Sequence, residues 1–282
     1  LRFAVGAVLL IIVALVDPRF WFRWAYFGYA AALALLVLVD IMGEIGMGAQ
    51  RWIDLGVIQL QPSEVMKVAL VVALARYFHG VAPETIGNPL VLVAPWLLVL
   101  RPVALVAKQP DLGTAVMLMA AGGAIFFLGG VRIWMFAVVI GAGLAAIPVI
   151  WSVLHDYQRR RVLTFIDPET DPLAAGYHTL QAKIALGSGA MSGKGFLAGT
   201  QSHLNFIPEK QTDFIFTILA EEFGLIGSVT LLGLYMLVIA YGTAIALRSR
   251  NQFGRLLGMG LVTTFFFYVF VNVGMVMGLL PV

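Results

Sequence analysis

Eight apolar runs follow one another along the chain, at about Phe3–Val16, Trp24–Ile41, Pro62–Phe78, Pro89–Ala107, Leu112–Leu128, Ile133–Leu154, Leu225–Leu247 and Leu256–Leu280. Runs of this kind cross a bilayer as helices, which satisfy their own backbone hydrogen bonds where no water is available. With 61% hydrophobic and 12% charged residues and a mean hydropathy of +0.94, the expected class is all-α, a polytopic helical membrane protein. The chain begins at Leu1 and stops at Pro281-Val282 just as the last run ends. The expectation is therefore a single membrane domain over 1–282, cut short at both ends.

The absence of cysteine excludes disulfides and thiolate metal sites. His79, His155, His178 and His203 show no paired metal spacing, whereas carboxylate-bound Mg or Mn would leave no comparable signature. No nucleic-acid partner is expected. Charge distribution says more than the net charge of +3: alternate loops carry Arg19 and Arg23, then Arg76, Arg132, and finally Arg248, Arg250 and Arg255. By the positive-inside rule these short loops are cytoplasmic. The opposite loops hold most of the acids, although they also carry several Lys and Arg residues, so the orientation rests on the short loops.

Charge also enters the apolar runs. Gly48-Ala-Gln-Arg-Trp-Ile-Asp-Leu-Gly56 leads to Gln61-Pro-Ser-Glu-Val-Met-Lys67, where Pro62 suits the first helical position and Glu64 and Lys67, three apart, share one face. An ammonium below the membrane surface costs roughly 3 kcal/mol unless it is paired or faces water, so the pair marks a functional cavity. A plain helix-terminal ion pair is the structural alternative.

A long outer loop, about His155 to Thr212, exceeds what a connector needs. Within it Tyr177, Leu180, Ile184 and Ala185 recur at helical spacing beside Gln181 and Lys183, which predicts an amphipathic surface helix. The following run of glycines, Gly187 to Gly199, lacks the spacing, the Ser/Thr and the preceding strand of a nucleotide P-loop. It is either a turn or a set of backbone N–H groups that, with Lys194, could hold phosphate oxygens. The apolar run Phe214–Ala220 is too short to span and is interrupted by Glu221-Glu222 and Gly224, so a half-helix or surface helix over Asp213–Phe223 is expected before the span near Leu225. Carboxylates Glu64, Asp111 and Asp213, cations Arg51, Lys67, Lys108, Lys194 and Lys210, and Trp52 thus fall on the outer side, a charge mixture suited to an amphiphilic anion.

Several ordered motifs resemble the SEDS family of RodA and FtsW: Gly48-Ala-Gln-Arg-Trp-Ile, Gln61-Pro-Ser-Glu64 with Lys67, Lys108-Gln-Pro-Asp111-Leu-Gly-Thr, Gly199-Thr-Gln-Ser-His-Leu, and Pro208-Glu-Lys-Gln-Thr-Asp213-Phe-Ile-Phe with Ala220-Glu-Glu. The resemblance covers essentially the whole chain, and Gly199-Thr-Gln-Ser and Asn272-Val-Gly-Met look like the RodA, cell-elongation branch. It implies a fold of about ten helices in the intact family pattern, in the bacterial cytoplasmic membrane with the site facing outward. It also implies a glycosyltransferase that polymerises lipid II, with a class B penicillin-binding protein transpeptidase and other membrane proteins of the elongation complex as partners. The family's essential acid falls on Asp213. Inversion at the sugar needs one base for the acceptor hydroxyl, the role the resemblance gives Asp213. The leaving pyrophosphate needs cations, for which Arg51, Lys67, Lys108, Lys194 and Lys210 are candidates. Glu64 would orient Lys67, Asp111 would join the substrate site, and Trp52 would stack on a sugar or anchor its loop. No cofactor is required by this chemistry, though Mg or Mn is compatible with it. A lipid II flippase or transporter is the alternative.

Overall fold

The computed structural model describes residues 2–42, 44–46, 49–54, 59–82, 84–109, 111–153, 159, 175–199 and 214–280. Among them the helices are α1 (Arg2–Leu15), α2 (Pro18–Met42), α3 (Pro62–His79), α4 (Pro89–Lys108), α5 (Leu112–Leu128), α6 (Ile133–Val153), α7 (Ala175–Ser188), α8 (Ile215–Leu247) and α9 (Gln252–Val276). Each of the eight apolar runs coincides with a helix over most of its length. Pro18–Ile41, Pro89–Lys108, Ile215–Leu247 and Gln252–Val276 are long and apolar enough on their own to cross a membrane. The last run stops short of the expected Leu280: α9 ends at Val276, and Gly278 at φ 73° lets Leu279 and Leu280 turn back to donate to the Gly274 carbonyl.

The all-α expectation needs one addition. Strands β1 (Glu44–Gly46), β2 (Ala49–Asp54) and β3 (Gln59–Leu60) form a small antiparallel meander between α2 and α3, with Glu44 opposite Trp52 and Ile53 opposite Leu60. It carries Arg51 and Trp52 on a defined backbone.

The chain divides into two compact units. The first comprises 1–133 and 242–264. Its axis is α3, enclosed by α2, α4 and α5, so that Met66, Leu70, Val71, Ala73, Leu74, Ala75 and Phe78 are fully buried. A helix buried on every side needs no polar stripe, which explains why α3 is apolar all round after Lys67. Close approach comes from small residues: a Cβ on Gly122 would meet Val99, and one on Gly260 would meet Val71 and Ile125, so α5 lies against α4 and α9 against α3 and α5 at backbone distance. At the far end of α3, Arg76 lies over the rings of Phe22 and Tyr26 and donates to the Arg23 carbonyl at 2.8 Å, which holds the charge at the helix terminus.

The second unit comprises 134–241 and 265–282. Its core joins Ala182 and Ala185 of α7 to Phe214, Phe216 and Val276, with Leu186, Leu231, Leu232 and Val273 packed alongside. The surface helix therefore exists, but Ile184 is exposed and the inward face is made of alanines and Leu186. Ala185 thus faces inward as expected, whereas Ile184 does not.

Candidate functional site

Four helix ends meet at one end of the first unit: the C-termini of α2 and α4 and the N-termini of α3 and α5. Pro62 opens α3 at its first turn, and Glu64 sits there, where the helix dipole favours a carboxylate. Lys67 Nζ donates to Glu64 Oε1 at 2.8 Å, with the Lys67 side chain 2% exposed and the Glu64 side chain 45% exposed. The carboxylate is thus the open face of a pair whose ammonium is sealed in the bundle. Asp111 caps α5 by accepting from the Thr114 N–H at 3.2 Å, and its charge reaches Lys67. Lys108, in the last turn of α4, pairs with Asp40 Oδ2 of α2 at 2.6 Å, and Gln109 Nε2 donates to the Leu36 carbonyl at 2.9 Å.

Glu64, Lys67, Lys108 and Asp111 are therefore gathered at one helix-bundle end. Asp40 is an addition that the sequence reading overlooked. Its signal was present: an acid in the last turn of a helix opposes the dipole and calls for a cation. Trp52 is 38% exposed on β2, and the side chain of Arg51 lies outside the described residues, as do Lys210 and Asp213.

In the second unit, the half-helix expectation is met at Gly224, which has φ 67° and ψ −160° inside α8. That conformation is open in practice only to glycine. In an unbroken helix the N–H groups of Leu225 and Ile226 would bond the carbonyls of Glu221 and Glu222. Here the glycine turn takes over all four groups. Leu225 N donates to the Ala190 carbonyl at 3.0 Å and Ile226 N to that of Met191 at 3.2 Å. Reciprocally, the carbonyls of Glu221 and Glu222 accept from Lys194 N and Gly195 N, each at 3.0 Å. Lone backbone groups in a bilayer cost several kcal/mol each, so this exchange is what permits a broken helix.

The exchange also corrects the phosphate-cradle reading of the glycine run. The amides of Gly193, Lys194 and Gly195 already donate to the carbonyls of Gly189, Glu221 and Glu222. The glycines serve close approach instead: a Cβ at Gly189 would collide with the Ala220 carbonyl, and one at Gly193 with that of Glu222. Lys194 Nζ pairs with Glu221 Oε1 at 2.8 Å, and the Glu221 side chain is 1% exposed against 27% for Lys194. Thr217 Oγ1, on the same half-helix, is buried without a hydrogen-bond partner among the described residues. Among the described residues no three His, Asp or Glu side chains converge to hold a metal ion.

Comparison with known proteins places these features in a family. The family of FtsW, RodA and SpoVE, described as cell cycle protein, matches residues 1–282. Peptidoglycan glycosyltransferase MrdB of Escherichia coli K12 is 47% identical over the whole of this chain and 76% of its own length. A probable peptidoglycan glycosyltransferase FtsW of Trichlorobacter lovleyi is 36% identical over 98% of this chain and 73% of its own. Among solved structures, a chain from work on the structural coordination of polymerization and crosslinking by a peptidoglycan synthase complex superposes with TM-score 0.84 at 34% identity, covering 99% of this chain and 78% of that one. An alanine variant of the rod shape determining protein RodA from Thermus thermophilus gives 0.69 at 30% identity, covering 99% and 75%. Since the family match extends over the whole length and a relative is 47% identical across it, the chain belongs to the FtsW, RodA and SpoVE family of cell cycle proteins.

Proposed function

We propose that this protein is a peptidoglycan glycosyltransferase that polymerises lipid II at the outer face of the bacterial cytoplasmic membrane, for cell elongation. The observation that carries this reading is 47% identity to a peptidoglycan glycosyltransferase across the entire chain. The outward orientation is supported by arginines at the other ends of the helices, with Arg76 tied down beside Arg23.

The chemistry follows from the charges. Forming a β-linked glycan from an α-linked sugar pyrophosphate inverts the anomeric carbon. A single displacement therefore needs a base to accept the proton of the acceptor hydroxyl, and Asp213 is assigned that role. The departing pyrophosphate takes the bonding electrons and needs no proton, only positive charge. Arg51, Lys67 and Lys108, with Lys210, supply it. Glu64 and Asp111 hold Lys67, Asp40 holds Lys108, and Trp52 offers a ring face to a sugar. Lys194, a further candidate cation by sequence, has its ammonium paired with Glu221.

The test is the purified protein with labelled lipid II in detergent and in vesicles. Glycan strands resolved by gel in both settings are expected. Movement of lipid II across the vesicle membrane with no polymer formed would replace this reading by the transporter one. The same assay with and without a chelator reads any contribution of Mg or Mn.

A further inference from the structure

The break in α8 leaves a half-helix from Ile215 to Phe223 that is joined to the rest of α8 through a single left-handed glycine. A hinge of this kind has no intrinsic direction. What gives it one is the turn at 189–195, fastened to the break by four backbone hydrogen bonds and by the Lys194–Glu221 ion pair. The ion pair reaches Glu221 at a side chain that is 1% exposed, and the rings of Phe196 and Phe223, 6.3 Å apart, add a second side-chain contact between turn and break.

We infer that Glu221 is a positioning residue for the reaction: by holding Lys194 it locks the glycine turn onto the break and fixes the direction of the half-helix that begins two residues after Asp213 in the sequence. The inference rests on the assignment of Asp213 as the base. Its leverage is geometric. Nine residues of helix are about 13 Å long, so a tilt of about 10° at the break displaces the far end by about 2 Å. Misplacement on the 1 Å scale costs about 10²-fold in rate. Gly189, Gly193 and Gly224 belong to the same device, since a side chain on any of them would drive the turn away from the break.

The experiment is steady-state kinetics on the full-length protein with lipid II, paired with hydrogen exchange of the segments 189–197 and 222–227. Glu221→Gln keeps the size of the side chain and removes the charge. Its expected result is a kcat at least tenfold lower, a KM within about threefold of the parent, faster exchange in the two segments and unchanged exchange in α3. Glu221→Gln with Lys194→Met, which leaves no stranded ammonium, should recover part of the lost kcat. If Glu221→Gln does not accumulate as folded protein, Lys194→Gln, altered at the partly exposed end of the pair, carries the same expectations. Unchanged kcat in a folded single variant overturns the inference. So does a raised KM at unchanged kcat, or a double variant with no recovery, because either result makes Lys194 a substrate contact and not part of a lock. Failure of the parent protein to polymerise lipid II would instead overturn the glycosyltransferase reading, while the exchange data still report on the lock.

Discussion

Lys67 is sealed inside the first unit, and that makes Glu64 more consequential than its own half-exposed position implies. Removing Glu64 strands a buried ammonium, whereas removing Lys67 leaves a carboxylate with an open face. Glu64→Gln is therefore expected to cost about 3 kcal/mol of stability, the lower end for breaking a buried pair, since the Glu64 side chain is itself half-exposed. Lys67→Met should cost less, and the double variant less than Glu64→Gln alone. Thermal unfolding of the purified variants checks this, and strict additivity would show that the residues do not interact. The pairing itself was legible in the sequence, because three residues along a helix from Pro62 put both groups on one face. The asymmetry was not, since it depends on α2, α4 and α5 closing around α3. Asp40 was hidden for a related reason: its partner Lys108 lies 68 residues away and meets it only through packing.

At the scale of elements, glycine decides where helices break and how closely they pass. Gly224 combines a conformation that other residues avoid with a site where a Cβ would run into the backbone at Gly193. Gly224→Ala is expected to lower stability by at least the ~1–3 kcal/mol of backbone strain and to loosen the glycine turn, seen as a lower unfolding temperature. An unchanged transition would mean that the break tolerates side chains. Gly260→Val tests the other use of glycine: its side chain would press on Val71 and Ile125, and overpacking of this sort costs about 1–3 kcal/mol. A neutral result there would contradict the close approach of α9 to α3 and α5. The break after Phe223 was readable from Glu221-Glu222-Gly224 inside an apolar run. The meander was missed, although Trp52-Ile53 are strand-favouring residues in a segment bounded by Gly48 and Gly56, because helix-forming runs on both sides dominate the pattern and the segment does not alternate. On α7 the sequence named Ala185, which is buried, but put Ile184 on the same face and passed over Ala182, because an alanine carries little periodic signal.

For the molecule as a whole, hydropathy sufficed for class, and ordered motifs for family, since each depends on composition or on short spacings. Which charges share a pocket depended on chain contacts far apart in sequence. The match to a chain of a peptidoglycan synthase complex, together with the largely exposed apolar surface of α1, favours function beside a partner in the membrane plane. The full-length protein is expected to co-purify with its class B transpeptidase and to polymerise faster in its presence, and indifference to the transpeptidase in both respects would contradict that. The most direct measurement of the central claim is the rate of lipid II polymerisation by the parent protein and by Asp213→Asn, with lipid II binding followed in parallel. Asparagine retains the size and capping ability of aspartate but cannot take the acceptor proton. The account predicts a rate at least about 10²-fold lower in a variant that is folded and still binds lipid II. Near-normal glycan synthesis by such a variant would contradict it.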